Sequence, residues 1–157
     1  MATDSLTRQL ADNPPDSVAV AVRVLLDERG NGPAASARLS VAEAADLVGL
    51  SPHTLRYYEQ EGLLRPARNS SGYREYSEAN LRRLVFITRM RGSGMTMQDL
   101  RRYVGLGEQG PAADAERREI MIRQRERVQE QIRDLTLALE TTEYKIAAYD
   151  GHPDDRR

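Results

Sequence analysis

Cysteine and tryptophan are absent from this chain of 157 residues, and phenylalanine occurs once. Without thiols there are no disulfides, no thiolate metal sites and no cysteine nucleophile. No apolar run approaches the roughly 20 residues that a membrane-spanning helix needs, and no signal peptide is recognisable, so we expect a cytoplasmic protein that does not contact membranes. Hydrophobic residues make up only 39% of the chain, which argues against a large self-contained core and predicts oligomerisation.

Residues in a catalytic arrangement are also missing. The two histidines, His53 and His152, are far apart in the sequence and have no nucleophile or metal ligand beside them. The adjacent carboxylates Asp154 and Asp155 lie in a tail. An enzyme would have to use residues whose spacing gives no support. We therefore expect no enzymatic activity, no metal site and no cofactor.

The net charge of −1 is unevenly distributed along the chain. Residues 1–37 carry −2 and residues 106–157 carry −3, whereas residues 38–105 hold 11 arginines against 7 acidic residues, a net charge of +4. A basic segment flanked by acidic ones is the electrostatic footprint of a DNA-binding region. This distribution of charge along the chain therefore predicts double-stranded DNA as a partner.

Two short helices are predicted in the basic segment. Residues 40–43 read Ser-Val-Ala-Glu, a capping box that opens the first helix. Gly49 allows a tight turn. Ser51 is then a good N-cap and Pro52 suits the first helical position, while Gly62 can close the second helix in a left-handed conformation. Two short helices joined by a glycine turn are typical of a helix-turn-helix.

The second helix divides into two faces. Leu55 and Tyr58 are three residues apart and predict the inward face, which leaves Thr54, Arg56 and Tyr57 outward. Tyr57 can then bond a phosphate through its hydroxyl, and an inward Tyr58 can still project its hydroxyl to the surface. This face is the predicted DNA-reading surface.

Arg56 is the first candidate for a DNA contact, because a guanidinium binds phosphate or guanine in two-point fashion. The alternative is a solvated pair with Glu59 or Gln60 on the same helix. His53 and Thr54 lie near the N-terminus of the helix, where side chains reach base edges. For His53, simple exposure to water fits the sequence equally well.

A two-stranded ribbon, or wing, is predicted after this helix. Residues 63–68 form one extended run, residues 69–72 read Asn-Ser-Ser-Gly and form a turn, and residues 73–76 form a second run. Alternation places Tyr73 and Glu75 on one face and Arg74 and Tyr76 on the other. The alternative for Arg74 is an ion pair with Glu75 or Glu78. The candidate DNA contacts of the wing are Arg68, Tyr73, Arg74 and Tyr76.

Three motifs in this order and spacing resemble the MerR family of bacterial transcription regulators, over roughly residues 39–149. They are Leu55-Arg56-Tyr57-Tyr58-Glu59, Gly62-Leu63-Leu64 and Gly72-Tyr73-Arg74-x-Tyr76. The resemblance implies a mainly α fold, with a winged helix-turn-helix head and a long C-terminal dimerisation helix in an antiparallel coiled coil. It also implies a homodimer on an inverted-repeat promoter operator, which bends and untwists the DNA for RNA polymerase, and a Gly-Tyr-Arg segment that grips the DNA backbone.

The long helix is also predicted by its own residues. From residue 112 to residue 149 there is no glycine or proline. Apolar positions alternate in steps of four and three, which is the a/d seam of a coiled coil over about three heptads. Such a polar helix needs a partner for its one apolar face. The residues of this seam that we assign to dimerisation are Val128, Ile132, Leu135, Leu139, Ile146 and Tyr149. Thr142 also occupies a seam position.

The predicted domains follow from these elements. Residues 1–38 are an N-terminal extension, residues 39–104 the DNA-binding head, residues 105–111 a linker, residues 112–149 the dimerisation helix and residues 150–157 a tail. A short helix is predicted at 17–29 within the extension. Valine alternation there fits a strand equally well, but Leu25 to Arg29 continue the helix.

The signal that the protein would respond to is left open by the sequence. Many members of the family sense metals or oxidants through cysteines near the end of the coiled coil, and this chain has none. Residues 143–149 resemble the aldehyde-responsive subgroup, but thiol-based sensing is excluded. A small organic effector, or no effector, fits the sequence. The alternative function is an architectural or recombination-accessory DNA-binding module without an inducer.

Overall fold

The computed structural model describes residues 38–151, and the chain divides between Gly105 and Leu106 into two compact units. The predicted short helix at 17–29 and most of the predicted tail lie outside the described residues. Among the helices of residues 38–151, none combines the length and the apolar character that crossing a bilayer requires.

The first unit is a winged helix-turn-helix. Helices α1 (Val41–Val48) and α2 (Pro52–Gln60) are followed by the short strands β1 (Ala67–Arg68) and β2 (Arg74–Glu75). The strands pair antiparallel, with Ala67 opposite Glu75 and Arg68 opposite Arg74. Helices α3 (Glu78–Gly92) and α4 (Met97–Gly107) come next. The predicted mainly α fold with a two-stranded wing is confirmed.

The helix ends are formed by the predicted local signals. The Glu43 N–H donates to Ser40 Oγ at 3.2 Å and the Ser40 N–H donates to Glu43 Oε2 at 2.8 Å. The bond from the Ser40 N–H, and after it the Ser40 hydroxyl, hold the pKa of the Glu43 carboxyl below its usual value. Gly49, with φ of 71°, makes the turn, and Gly62, with φ of 76°, follows the end of α2. A positive φ is unfavourable for residues that carry a Cβ, which explains why glycine occupies both positions.

The core of the head lies between the four helices. Small Ala44 and Ala45 on α1 allow close approach of α2. The Phe86 and Tyr103 rings stack with centroids 5.2 Å apart, which joins α3 to α4. This packing fixes the inward face of α2 and thereby directs its other face outward. The largest fully buried side chains of the head are Leu55, Leu63, Leu64, Tyr76, Leu81, Leu84, Ile87, Met95 and Leu100.

In the second unit, a 3₁₀ turn, η1 (Gly110–Ala113), leads into one long helix, α5 (Asp114–Tyr149), of 36 residues. The predicted linker, residues 105–111, is mostly helical, since α4 continues to Gly107 and η1 begins at Gly110. Glycine inside a helix costs only about 1 kcal/mol relative to alanine, so Gly105 and Gly107 do not end α4. All residues from 129 to 146 on α5 are exposed.

Candidate nucleic-acid interface

The outward face of α2 presents His53, Arg56 and Tyr57 to solvent. Tyr57 is 42% exposed. Thr54 is half-buried, and its Oγ1 lies 2.9 Å from Ser51 Oγ, so part of its hydrogen-bonding capacity is used in the cap. The Ser51 hydroxyl also accepts from the Thr54 N–H at 3.1 Å. The cap therefore orients the first turn of α2, where His53 and Thr54 stand.

The guanidinium of Arg56 is not engaged by its own helix. Within residues 38–151, no hydrogen bond or ion pair involves the Arg56 side chain. Its predicted alternative partner, Glu59, instead binds Arg74 of the wing, with Arg74 Nε 2.5 Å from Glu59 Oε2. Arg56 thus keeps all its donors available for a ligand outside the head.

The inward face of α2 is formed by Leu55 and Tyr58, as predicted. Tyr58 is 7% exposed, and burial raises the pKa of its hydroxyl, against the opposing effect of the Arg91 charge. The Tyr58 ring lies 5.9 Å from the Tyr57 ring, centroid to centroid. Tyr58 therefore supports Tyr57 from the core side and offers DNA little surface of its own.

The tip of the wing is held by side-chain bonds to its backbone. Asn69 Oδ1 accepts from the Ser71 N–H at 2.9 Å and from the Tyr73 N–H at 3.0 Å. Arg68 Nη1 donates to the Gly72 carbonyl at 2.8 Å. Because the turn is ordered in this way, Tyr73 projects from it with 73% of its surface exposed.

Arg74 joins the wing to α2. Its pair with Glu59 is half-buried, with 28% of the Arg74 side chain and 25% of the Glu59 side chain exposed. The two alternative partners predicted from sequence are engaged elsewhere. Glu75 binds Arg38 at 2.8 Å, and Glu78 binds Arg82. Arg74 therefore orients the wing as well as adding a positive charge beside α2.

Tyr76, predicted as a DNA contact, belongs to the core. It is 0% exposed, and its backbone pairs with Leu39 rather than continuing the β1–β2 ladder. Its buried hydroxyl has no hydrogen-bond partner among residues 38–151. Burial raises the pKa of this hydroxyl, the Glu59 charge raises it further, and the Arg74 and Arg56 charges lower it. We therefore remove Tyr76 from the predicted contacts.

The ion pair between α4 and the end of α2, like the Glu59–Arg74 pair, could not be predicted from the sequence. Arg101 Nη1 on α4 lies 2.6 Å from Glu61 Oε2, just past the end of α2. The two residues are 40 positions apart in the sequence, and the periodicity of a helix or strand cannot predict a contact over that separation. The pair fixes the C-terminal end of α2, as the Ser51 cap fixes its start.

The fold and this surface define a winged helix-turn-helix DNA-binding protein. Two family models match the chain: "MerR HTH family regulatory protein" over residues 39–105 and "MerR, DNA binding" over residues 81–141. The chain belongs to the MerR family of transcription regulators, which confirms the family predicted from the three motifs.

Individual relatives agree with this assignment. The HTH-type transcriptional regulator HmrR of Rhizobium leguminosarum bv. viciae is 34% identical over 114 residues, which cover 73% of this chain and 88% of HmrR. A MerR family regulator structure from Listeria monocytogenes, 34% identical, has a TM-score of 0.68 and covers 73% of this chain and 87% of its own.

A third relative was solved with DNA. HiNmlR, described as a MerR family regulator lacking the sensor domain and bound to promoter DNA, is 31% identical, with a TM-score of 0.67 over 72% of this chain and 90% of that chain. The chain is a DNA-binding transcription regulator and not an enzyme, as the sequence predicted.

Proposed function

We propose that the protein acts in the cytoplasm as a homodimer that binds an inverted-repeat promoter operator and regulates transcription by bending and untwisting the DNA. The observation that carries the proposal is the outward face of α2, where the unengaged Arg56 lies beside the exposed Tyr57. A helix of this kind enters the major groove with its N-terminal part toward the bases.

The contacts divide between α2 and the wing. Arg56 binds a guanine or a phosphate, His53 and Thr54 approach base edges, and Tyr57 bonds a phosphate. On the wing, the proposed contacts are to the backbone that flanks this groove, from Tyr73 at the tip and from the arginines Arg68 and Arg74. The net charge of +4 on residues 38–105 favours this docking.

Dimerisation through α5 is supported by its exposed apolar strip. Ile132, Leu135, Leu139, Ile146 and Tyr149 are each between 55% and 89% exposed, and Val128 is half-buried. A strip of large apolar residues at a/d spacing is covered when a second copy packs against it. In the proposed dimer, two α5 helices run antiparallel and hold two heads on one duplex.

We expect the DNA to be deformed, because the paired α5 helices hold the two heads on one duplex. Bending a site of this size costs a few kcal/mol, which added phosphate contacts can offset. The solved relative bound to promoter DNA supports a promoter as the target. Reshaping the promoter would then change how RNA polymerase engages it. Because this chain of 157 residues has no cysteine, any signal that it reads acts without thiol chemistry, for example a small organic effector.

The test is a footprint on the DNA upstream of the protein's own gene, with the purified full chain. The proposal predicts a protected inverted repeat spanning about two helical turns, since paired heads reach successive major grooves. Uniform, strongly salt-sensitive binding to any duplex would instead identify an architectural DNA-binding module.

A further inference from the structure

The carboxylate of Glu59 binds one arginine, Arg74, and has a second, Arg56, one helical turn away along α2. Arg56 precedes it by three residues on α2, a spacing at which side chains are neighbours on a helix. Arg74 reaches the same carboxylate from β2, with Nε 2.5 Å from Oε2. Only the pair with Arg74 is formed, and the pair with Arg56, the alternative that helical spacing allows, is not.

A third residue places all three charges in one neighbourhood. The buried Tyr76 hydroxyl has a pKa raised by burial and by the charge of Glu59, and lowered by the charges of Arg74 and Arg56. Both arginines are therefore within electrostatic range of the same phenol, as Glu59 is. Arg56, one helical turn from Glu59 along α2, is therefore the candidate to replace Arg74 as its partner.

The burial of the Glu59–Arg74 pair determines the effect of breaking it. With only 25% of its side chain exposed, Glu59 is a half-buried carboxylate, and leaving such a charge without a cation is unfavourable. Arg56 is the nearest replacement by helix geometry. If Arg56 pairs with Glu59, its guanidinium turns toward the C-terminal end of α2 and has fewer donors left for a base or a phosphate.

We propose that Arg74 is a positioning residue for Arg56: by holding the Glu59 carboxylate at the wing, it prevents Glu59 from capturing the arginine that binds DNA. This inference rests on the proposed function, in which Arg56 contacts the operator. It gives Arg74 a second role beside any phosphate contact of its own, and it predicts that the charge of Glu59 opposes DNA binding more strongly when Arg74 is missing.

The experiment compares affinities for the promoter fragment upstream of the gene, measured by fluorescence anisotropy with the full chain. Arg74→Ala should weaken binding about tenfold or more, and adding Glu59→Gln should restore about threefold or more of that loss, because the neutral amide no longer holds Arg56. Coupling of this size is ordinary for residues in contact. Arg74→Gln replaces Arg74→Ala if the thermal midpoint of the latter falls below the assay temperature.

Arg68 provides the matched control. It lies directly opposite Arg74 in the wing, but it donates to the Gly72 carbonyl and not to a carboxylate. Glu59→Gln should change the affinity of the Arg68→Ala variant only by the factor that it produces in the wild-type chain. This comparison removes the general effect of losing one negative charge near DNA.

Arg56→Ala separates the inference from the proposed function. In the Arg56→Ala/Arg74→Ala background, Glu59→Gln should restore nothing beyond its wild-type factor, because there is no Arg56 to release. If Arg56→Ala alone leaves affinity unchanged, the proposed Arg56 contact is wrong. If Arg56→Ala weakens binding but Glu59→Gln has the same factor in every background, Arg74 acts only through its own contacts and the inference is overturned.

Discussion

Leu39 and Tyr76 exchange backbone hydrogen bonds: the Leu39 N–H donates to the Tyr76 carbonyl at 3.0 Å, and the Tyr76 N–H donates to the Leu39 carbonyl at 2.8 Å. This bridge ties the chain that enters α1 to the chain that leaves the wing. Together with the Glu59–Arg74 pair, it fixes the wing to the helix-turn-helix at two points. The spacing between α2 and the wing tip is thus set before DNA arrives.

Two substitutions of Tyr76 distinguish the contribution of its ring to stability from that of its hydroxyl. Tyr76→Ala should destabilise the head by about 3–5 kcal/mol, since a large, fully buried aromatic ring is lost. Tyr76→Phe should leave stability equal or higher, because it removes a buried hydroxyl that has no hydrogen-bond partner within residues 38–151. Urea unfolding measures both. A loss above about 1 kcal/mol for Tyr76→Phe would contradict the unpartnered hydroxyl.

Arg56→Ala should weaken binding to the promoter site by about 1–3 kcal/mol, the usual cost of one arginine that reads a base or phosphate. The thermal midpoint should not change, because Arg56 makes no hydrogen bond or ion pair within the described chain. Anisotropy and circular dichroism measure the two quantities. Arg118→Ala, the same change at an arginine with 74% of its side chain exposed on α5, is the control. Equal affinities for the two variants would remove Arg56 from the contacts.

Asp substitutions on α5 test the dimer seam. Leu135→Asp combined with Leu139→Asp should give monomers in sedimentation experiments, because two charges would enter the apolar seam. Leu137→Asp is the matched control, since Leu137 is similarly exposed, at 62%, but lies on the opposite side of the heptad. A double variant that remains dimeric, or a Leu137→Asp variant that becomes monomeric, would place the seam elsewhere.

Gly62 tests the left-handed end of α2. A Cβ at this position meets no atom within 4 Å, but φ is +76°. Gly62→Ala should therefore lower stability by about 1–2 kcal/mol for conformational reasons alone, and Gly62→Asn should lower it less. Gly92→Ala, at an uncrowded helical position, should stay within about 1 kcal/mol of wild type. Chemical denaturation of the three variants gives the comparison, and an equal loss for Ala and Asn would argue against this cause.

The elements that the sequence predicted correctly depend on local rules. The capping box of Ser40 and Glu43, the cap at Ser51 and the left-handed Gly62 involve residues within one turn of each other. The inward face of α2 is set by helical spacing. The motifs of the head were similarly sufficient to indicate the family.

The errors and omissions involve tertiary contacts. Alternation grouped Tyr76 with Arg74, but the paired strands are two residues long, so Tyr76 lies beyond the ladder and follows its bridge to Leu39 into the core. The partners of Glu59 and Glu61 are 15 and 40 positions away. Charge patterns along a helix indicate only neighbours three or four residues apart, so they could not show Arg74 and Arg101 as the partners of Glu59 and Glu61.

The exposed strip on α5 affects how the protein would melt. In the proposed dimer, every leucine and isoleucine of that strip is covered only after two chains meet, so association and folding free energies add together. The temperature of half-unfolding should then rise as the sample is concentrated and fall on dilution. For a regulator present at low copy number, stability and therefore lifetime in the cell would then depend in part on its own concentration.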